Sequence, residues 1–164
     1  MKKETAENGL ITTFYEKVDA KKLPEIFLMT FPIALIHKTI FSHSDSFLKE
    51  NFDLLNSEAD VLALLYTHDK TLSPTQLYDM TVFSSGGMTK VLKRLLERGL
   101  ICRKQDSADK RYMLVCLTEC GEELIVKSLN AVSKECSKYF ENLNQEEMQI
   151  FSTLLKKIIS NPTF

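Results

Sequence analysis

The chain lacks the short motifs by which most enzymes are recognised. It contains no glycine-rich phosphate loop, no paired acid/base motif and no nucleophile elbow. The Ser-Ser-Gly-Gly run at 84–87 comes before a predicted helix but lacks the lysine of a Walker motif. Internal repeats, low-complexity segments and Gly/Ser linkers are also missing. The sequence therefore predicts a protein that is not an enzyme.

Signals for export or membrane insertion are also missing. The opening residues MKKETAEN lack the apolar core of a signal peptide. The most apolar run, 26–36, is too short to span a bilayer and contains Pro32, so we expect it to form a buried helix. These features predict a cytoplasmic protein with no membrane partner, whose four cysteines are reduced thiols.

Potential metal ligands are few and poorly spaced. There is no CxxC pair, and no histidine lies near Cys116 and Cys120 to complete a zinc set. His37 and His43 are six residues apart, a spacing that does not place two ligands on one helix face. We therefore expect no metal site and no cofactor.

Charge is distributed unevenly along the chain. The formal net charge is −1, yet residues 73–117 carry eight Lys or Arg against four Asp or Glu. A basic middle within an acidic chain indicates one surface for an anionic partner.

Helical periodicity dominates the apolar pattern, and one hairpin interrupts it. Helices are predicted over 24–50, 56–68, 73–80, 84–98, from 118 to about 140, and from 144 to 158. Strands are predicted over 100–105 and 111–117. Residues expected to cap the helices are Asn56 or Ser57, Ser73 with Pro74 and Gln76, Ser84 or Ser85, Gly99, Thr118, and Asn144 with Glu147.

This order of elements is that of a winged helix-turn-helix. The helix that follows SSGG would enter the major groove, with its stripe Met88, Val91, Leu92 and Leu95 facing the core. The DNA contacts expected on its other side are Ser84, Ser85, Gly86, Gly87, Thr89, Lys90, Lys93 and Arg94.

The tip of the hairpin is the second expected DNA contact, made by Asp109, Lys110 and Arg111. Arg111 would enter the narrow minor groove, and Asp109 would brace it. The alternative is a solvated turn with a surface ion pair of little energetic value.

Residues 88–124 resemble the MarR family of transcriptional regulators. The motifs that carry the resemblance are Thr89–Lys90, Arg94–Leu95, Gly99–Leu100–Ile101, Asp109–Lys110–Arg111 and Leu117–Thr118–Glu119–Cys120–Gly121. The resemblance implies a homodimer held by its terminal helices, a pseudopalindromic double-stranded DNA operator and a small-molecule or oxidant signal. It also implies that Arg111 reaches the minor groove and that Asp109 holds it. Gly86–Gly87 stand where members of the family vary, so the operator sequence stays open.

The predicted fold is mainly α with a small β-hairpin wing. Within a single domain, 1–164, we expect dimerisation helices in 10–50 and 118–160 around a DNA-binding lobe at 56–117. We expect the protein to be a sequence-specific DNA-binding transcriptional repressor that a small-molecule ligand releases or modulates.

Three narrower questions stay open at the level of sequence. Phe27, Phe31 and Ile36, with the second helix and the helix from 118, could line a pocket for a small aromatic or apolar effector, or could be plain core. Cys102, Cys116 or Cys136 could be redox-active. Some members of the family sense oxidants through a cysteine near the N-terminus, but this chain has no cysteine before position 102. A winged-helix adaptor for other proteins is the rival function, and it would not need a basic face.

Overall fold

The structure, a computed structural model, describes residues 23–81, 85–106, 109, 111 and 113–161, without the side chain of Ser85. The described part of the chain divides into two compact units between Ile40 and Phe41. Its described elements, in chain order, are α1 (Glu25–Phe52), α2 (Asn56–Thr67), β1 (Thr71–Leu72), α3 (Pro74–Asp79), α4 (Ser85–Glu97), β2 (Ile101–Gln105), β3 (Met113–Leu117), α5 (Glu119–Cys136), a 3-10 turn (Ser137–Phe140) and α6 (Gln145–Ile159). This is the mainly helical winged helix-turn-helix order predicted from the sequence.

Helix α1 differs from its prediction in two ways. Its 28 residues, which include Pro32, are long and apolar enough, by length and composition alone, to cross a membrane, whereas the apolar run at 26–36 was judged too short. The apolar run at 26–36 is helical but not buried, since Ile26 is 66% exposed and Ile33 50% exposed. The expectation of a buried helix was wrong because the described residues leave this face uncovered.

The start of α2 also corrects a prediction. Asn56 is not the N-cap, because its buried side chain is hydrogen-bonded to residues of α1. It accepts a hydrogen bond from the Ser44 hydroxyl at 3.1 Å and donates one to the Phe41 carbonyl at 2.8 Å. Leu55 precedes the helix instead, and its backbone N–H donates to Glu58 Oε2 at 2.9 Å. Asn56 thus joins the end of α1 to α2.

The predicted N-cap of α3 and the predicted end of α4 at Gly99 are confirmed, whereas Ser85 is the first residue of α4 and Ser84 lies outside the described residues. Gln76 N–H donates to the Ser73 hydroxyl, the Gln76 side chain accepts Ser73 N–H, and Pro74 occupies the first turn. Gly99 ends α4 with φ +66°, a conformation that a side chain disfavours, and lets Leu100 N–H reach the Leu95 carbonyl at 3.0 Å.

A three-stranded antiparallel sheet forms the wing and its base, with strand order β1-β3-β2. The hairpin strands were predicted, but β1 was not, because two residues carry no periodic signal. Its Thr71 pairs with Cys116 of the central strand. The sheet, α2, α3, α4 and α5 share one core, whose fully buried residues include Leu62, Leu77, Leu95, Val115 and Ile125.

The last helices complete the described chain. Thr118 caps α5 as predicted, accepting the Gly121 N–H at 3.1 Å. The α-helix ends at Cys136 and gives way to the 3-10 turn, earlier than the expected end near 140. Asn144 and Glu147 form the predicted capping box of α6, a helix without a buried residue.

Candidate nucleic-acid interface

Helix α4 presents two different faces. Met88, Val91, Leu92 and Leu95 are buried, which confirms the predicted stripe. Gly86, Thr89, Lys90 and Lys93 are exposed, and Gly87 is half-buried. The exposed face therefore combines short residues near the start of the helix with two cations further along, an arrangement suited to an anionic surface.

Gly86 and Lys93 differ from their neighbours on α4 in the space around them: Gly86 leaves room for another molecule to approach the backbone, and Lys93 carries an exposed charge. A Cβ added at Gly86 would meet nothing within 4 Å, so the helix leaves open space beside its first turn. Lys93 has a side chain 76% exposed and lies 3.8 Å from Glu97, a loose surface pair. Ser84 lies outside the described residues, and Ser85 begins the helix.

Arg94 is placed differently from the other cations that were expected to contact DNA. Its Nε lies 2.9 Å from Oε1 of Glu58, whose side chain is 1% exposed. This contact is an ion pair without hydrogen-bond alignment. Its Nη2 donates to the Asp53 carbonyl at 3.3 Å. Arg94 is thus directed toward the junction of α1 and α2.

Arg98 strengthens the same junction and was not singled out from the sequence. It donates to the Asp53 carbonyl at 2.7 Å and to the Phe52 carbonyl at 3.3 Å. Asp53, at φ +50°, also pairs with Lys49. Glu58 was equally missed, although a charged residue among the apolar residues of α2 is a signal for a buried partner. These residues, Asp53, Glu58, Arg94 and Arg98, are called the junction cluster below.

At the wing, Asp109 and Arg111 form the brace expected from their spacing. Arg111 Nε donates to Asp109 Oδ1 at 3.0 Å, Nη2 donates to Oδ2 at 2.8 Å, and the Arg111 backbone N–H also donates to Oδ1 at 3.0 Å. The guanidinium side chain is 86% exposed. Arg111 lowers the pKa of Asp109, and Asp109 raises the pKa of Arg111. The pair thus holds an exposed cation in a fixed direction; Lys110 lies outside the described residues.

The cysteines and histidines form no cluster of three metal-ligating side chains among the described residues. Cys102 and Cys116 are paired across β2 and β3. Burial raises the pKa of Cys136. His43 lies 3.0 Å from Glu135 Oε1 and 2.8 Å from the Tyr139 hydroxyl.

The residues proposed for a ligand lie on α1. The rings of Phe27 and Phe31 stack with centroids 5.4 Å apart, and Ile36 is 48% exposed. Their role in ligand binding stays a prediction, as do the roles of the cysteines and of the individual DNA contacts.

Known proteins match the chain in both sequence and fold. A sequence profile of the MarR family matches residues 52–111. An uncharacterized HTH-type transcriptional regulator of Bacillus cereus is 34% identical over 116 residues, which cover 70% of this chain and 76% of the relative.

Two solved structures show the fold. The organohalide-sensing regulator RdhR-CbdbA1625, bound to 2,4-dichlorophenol, superposes with a TM-score of 0.71 at 19% identity, covering 87% of this chain and 83% of its own. A mutant of Escherichia coli MarR complexed with operator DNA superposes with a TM-score of 0.62 at 24% identity, covering 82% of this chain and 99% of its own. The chain belongs to the MarR family of winged helix-turn-helix proteins and is a DNA-binding transcriptional regulator rather than an enzyme.

Proposed function

We propose that the protein is a cytoplasmic, homodimeric repressor that binds a pseudopalindromic operator and is released by a small aromatic or apolar effector. Each protomer would place α4 in the major groove and its wing in the adjacent minor groove. The dimer would read two half-sites about one helical turn, roughly 34–36 Å, apart.

The exposed face of α4 supports the DNA contacts. Thr89 and the glycines at 86–87 are short enough for the helix to approach base edges and phosphates, and Lys90 and Lys93 would neutralise phosphates. The braced Arg111 suits a narrow, negatively charged minor groove. We assign Arg94 to positioning of α4, because its guanidinium already lies against Glu58.

The proposal of a dimer rests on the uncovered apolar face of α6. Exposed apolar residues of this helix are Met148, Ile150, Phe151, Leu154, Leu155, Ile158 and Ile159. Monomeric proteins rarely expose so large a contiguous apolar surface. Helix α1 exposes a second such series, which includes Ile26, Met29 and Ile33. A second copy of the chain, packed on α1 and α6, would cover both.

Sedimentation equilibrium of matched variants tests this interface. Leu154→Glu places a charge in the apolar face of α6, whereas Ser152→Glu adds the same charge at an exposed polar position of the same helix. The wild type and Ser152→Glu should have the mass of two chains, and Leu154→Glu should shift toward one. Dimers of equal strength in all three proteins would place the interface elsewhere.

The effector site is proposed at the stacked Phe27 and Phe31, with Ile36 further along the same helix. The dichlorophenol bound to the structurally similar regulator supports an aromatic ligand. Titration calorimetry with 2,4-dichlorophenol, with and without Phe27→Ala, tests it. Heat of binding that disappears in the variant supports the site, and equal heats contradict it.

A further inference from the structure

Two thiols face each other across the base of the wing. Cys102 of β2 and Cys116 of β3 are direct partners in the antiparallel register. Thr118 N–H donates to the Leu100 carbonyl at 3.2 Å, which makes 100 and 118 a hydrogen-bonded pair. Hydrogen-bonded and non-hydrogen-bonded residue pairs alternate along antiparallel strands. Cys102 and Cys116 lie two residues further along and are therefore again a hydrogen-bonded pair, with Cα atoms about 5.5 Å apart.

Both side chains lie on the solvent side of the sheet. Their neighbours Ile101 and Leu117 are buried on the opposite side, whereas Cys102 is exposed and Cys116 half-buried. The Thr71 hydroxyl donates to Cys116 Sγ at 3.7 Å, which orients that thiol. A reagent from solvent therefore meets two neighbouring thiols at one place.

The Cys102 thiol is also protonated near neutral pH. Local desolvation raises the pKa of Cys102, and the neighbouring Cys116 thiol raises it further. A low thiolate population disfavours attack on peroxides or disulfides, which requires the thiolate. Condensation of a neutral thiol with an oxygen-bearing, thiophilic centre has no such requirement.

The spacing favours a one-atom bridge over a disulfide. Directly opposed Cβ atoms in a sheet are about 4.5–5.5 Å apart. A disulfide brings them to about 3.8 Å, which is shorter than this average separation. A single atom between the sulfurs spans the larger distance. Among the described residues no third metal-ligating side chain joins a cluster, so ions that need three or four protein ligands find too few.

We propose that Cys102 and Cys116 form a binding site for trivalent arsenicals. Arsenic(III) needs only two thiols, keeps its third substituent, and its pyramidal geometry holds two sulfurs close together. In the reaction R–As(OH)₂ condenses with two S–H groups; two As–S bonds form, two As–O bonds break, and two water molecules leave. No atom is oxidised or reduced. The site is separate from the proposed operator contacts and does not depend on them.

Phenylarsine oxide is the probe, added to the reduced, full-length protein. Intact mass should show one phenylarsenic group per chain. Alkylation of the remaining thiols and peptide mapping should show Cys102 and Cys116 protected and Cys120 and Cys136 modified. Ethanedithiol should reverse the adduct, and a monothiol at the same sulfur concentration should not.

Four single variants test the site, two at the proposed thiols and two at other cysteines as controls. Cys102→Ser and Cys116→Ser should each lose the dithiol-specific adduct, and Cys120→Ser and Cys136→Ser should keep it. The melting temperature should rise on adding the probe in the wild type but not in Cys102→Ser, because a bridge between two strands restrains the unfolded chain.

Three results would overturn the proposal. One is protection of Cys120 or Cys136 in place of the pair. Another is equal labelling of Cys102→Ser and wild type, which would indicate attachment to single thiols. The third is rapid formation of a Cys102–Cys116 disulfide by diamide together with no arsenical adduct, which would show that the strands favour a direct bond.

Discussion

Nε of Arg94 on α4 lies 2.9 Å from Oε1 of Glu58, a carboxylate 1% exposed at the start of α2. Arg94 and Arg98 together also contact the backbone at the end of α1, through the carbonyls of Asp53 and Phe52. The junction cluster therefore fixes α4 against the junction of α1 and α2. The ion pair with Glu58 therefore explains the presence of Arg94 on α4 without a contact to DNA.

Removing the Arg94 side chain should lower the stability of the fold, and its effect on DNA binding should be secondary. Arg94→Ala leaves Glu58 buried with only the Leu55 N–H and the more distant Arg98, 3.9 Å away. We expect a loss of about 1–3 kcal/mol in the free energy of unfolding. Urea denaturation of the purified protein measures this loss.

Lys90→Ala is the matched control, since it removes an exposed cation from the same helix. Its stability should stay within about 0.5 kcal/mol of wild type. Adding Glu58→Gln to Arg94→Ala should cost less than the sum of the single changes, because the two residues are coupled. An Arg94→Ala protein as stable as the control, but defective in DNA binding, would return Arg94 to the DNA interface.

The wing gives the second prediction. Arg111→Ala should weaken operator binding by about 1–3 kcal/mol, the value of a specific groove contact. Asp109→Asn should weaken it by less, because the guanidinium remains but loses its ionised partner. Fluorescence anisotropy on a single duplex measures both, with Lys127→Ala on α5 as a control for loss of one exposed cation. Unchanged affinity in Arg111→Ala would remove the wing from recognition.

The brace should not depend on pH near neutrality. The pKa of Asp109 is lowered from 3.8 by Arg111, so the carboxylate stays ionised above that value and the pair weakens only as pH falls through the lowered pKa. The affinity ratio of wild type to Asp109→Asn should therefore be constant across the neutral range. A ratio that changes steeply there would contradict this assignment of the brace.

Lys93 should behave as a phosphate contact. Its side chain is largely exposed and holds only a loose pair with Glu97. Lys93→Ala should weaken all duplexes alike and lower the slope of log K against log salt by about one. Binding at several salt concentrations to a specific and a scrambled duplex checks this. A loss confined to one base position would make Lys93 a base reader.

Two glycines should respond in opposite ways to alanine. A Cβ at Gly121 would lie 2.0 Å from the Leu100 carbonyl oxygen, so Gly121→Ala should destabilise the fold by about 1–3 kcal/mol or more. Gly86 has open space, and Gly86→Ala should stabilise α4 by up to about 1 kcal/mol. If DNA approaches Gly86 closely, the same change should weaken operator binding. Thermal unfolding and anisotropy on both variants separate these effects, and a Gly86→Ala protein with full affinity would exclude close approach.

Local signals explain why much of the fold followed from sequence. Ser73, Gly99 and Thr118 act within a few residues of their own position, so spacing alone identifies them. Asn56 misled because its side chain bonds to Ser44, twelve residues earlier, a contact that no local pattern reveals. β1 was missed because its pairing with β3 is equally non-local.

The candidate site divides in the same way. Asp109 and Arg111 are two residues apart, so their pairing could be predicted. Arg94 could not be separated from Lys90 and Lys93, because its partner Glu58 lies on another helix. The burial expected for 26–36 failed because an apolar run does not show whether its own chain or a second chain covers it.

Hydroxyl-radical footprinting of the wild type on a duplex selected from a random library tests the central claim most directly. We predict two symmetric protected half-sites about one helical turn apart, flanked by minor-groove protection that Arg111→Ala removes. Uniform protection of every duplex, or no binding at low salt, would contradict operator recognition by α4 and the wing and would favour a protein-interaction adaptor.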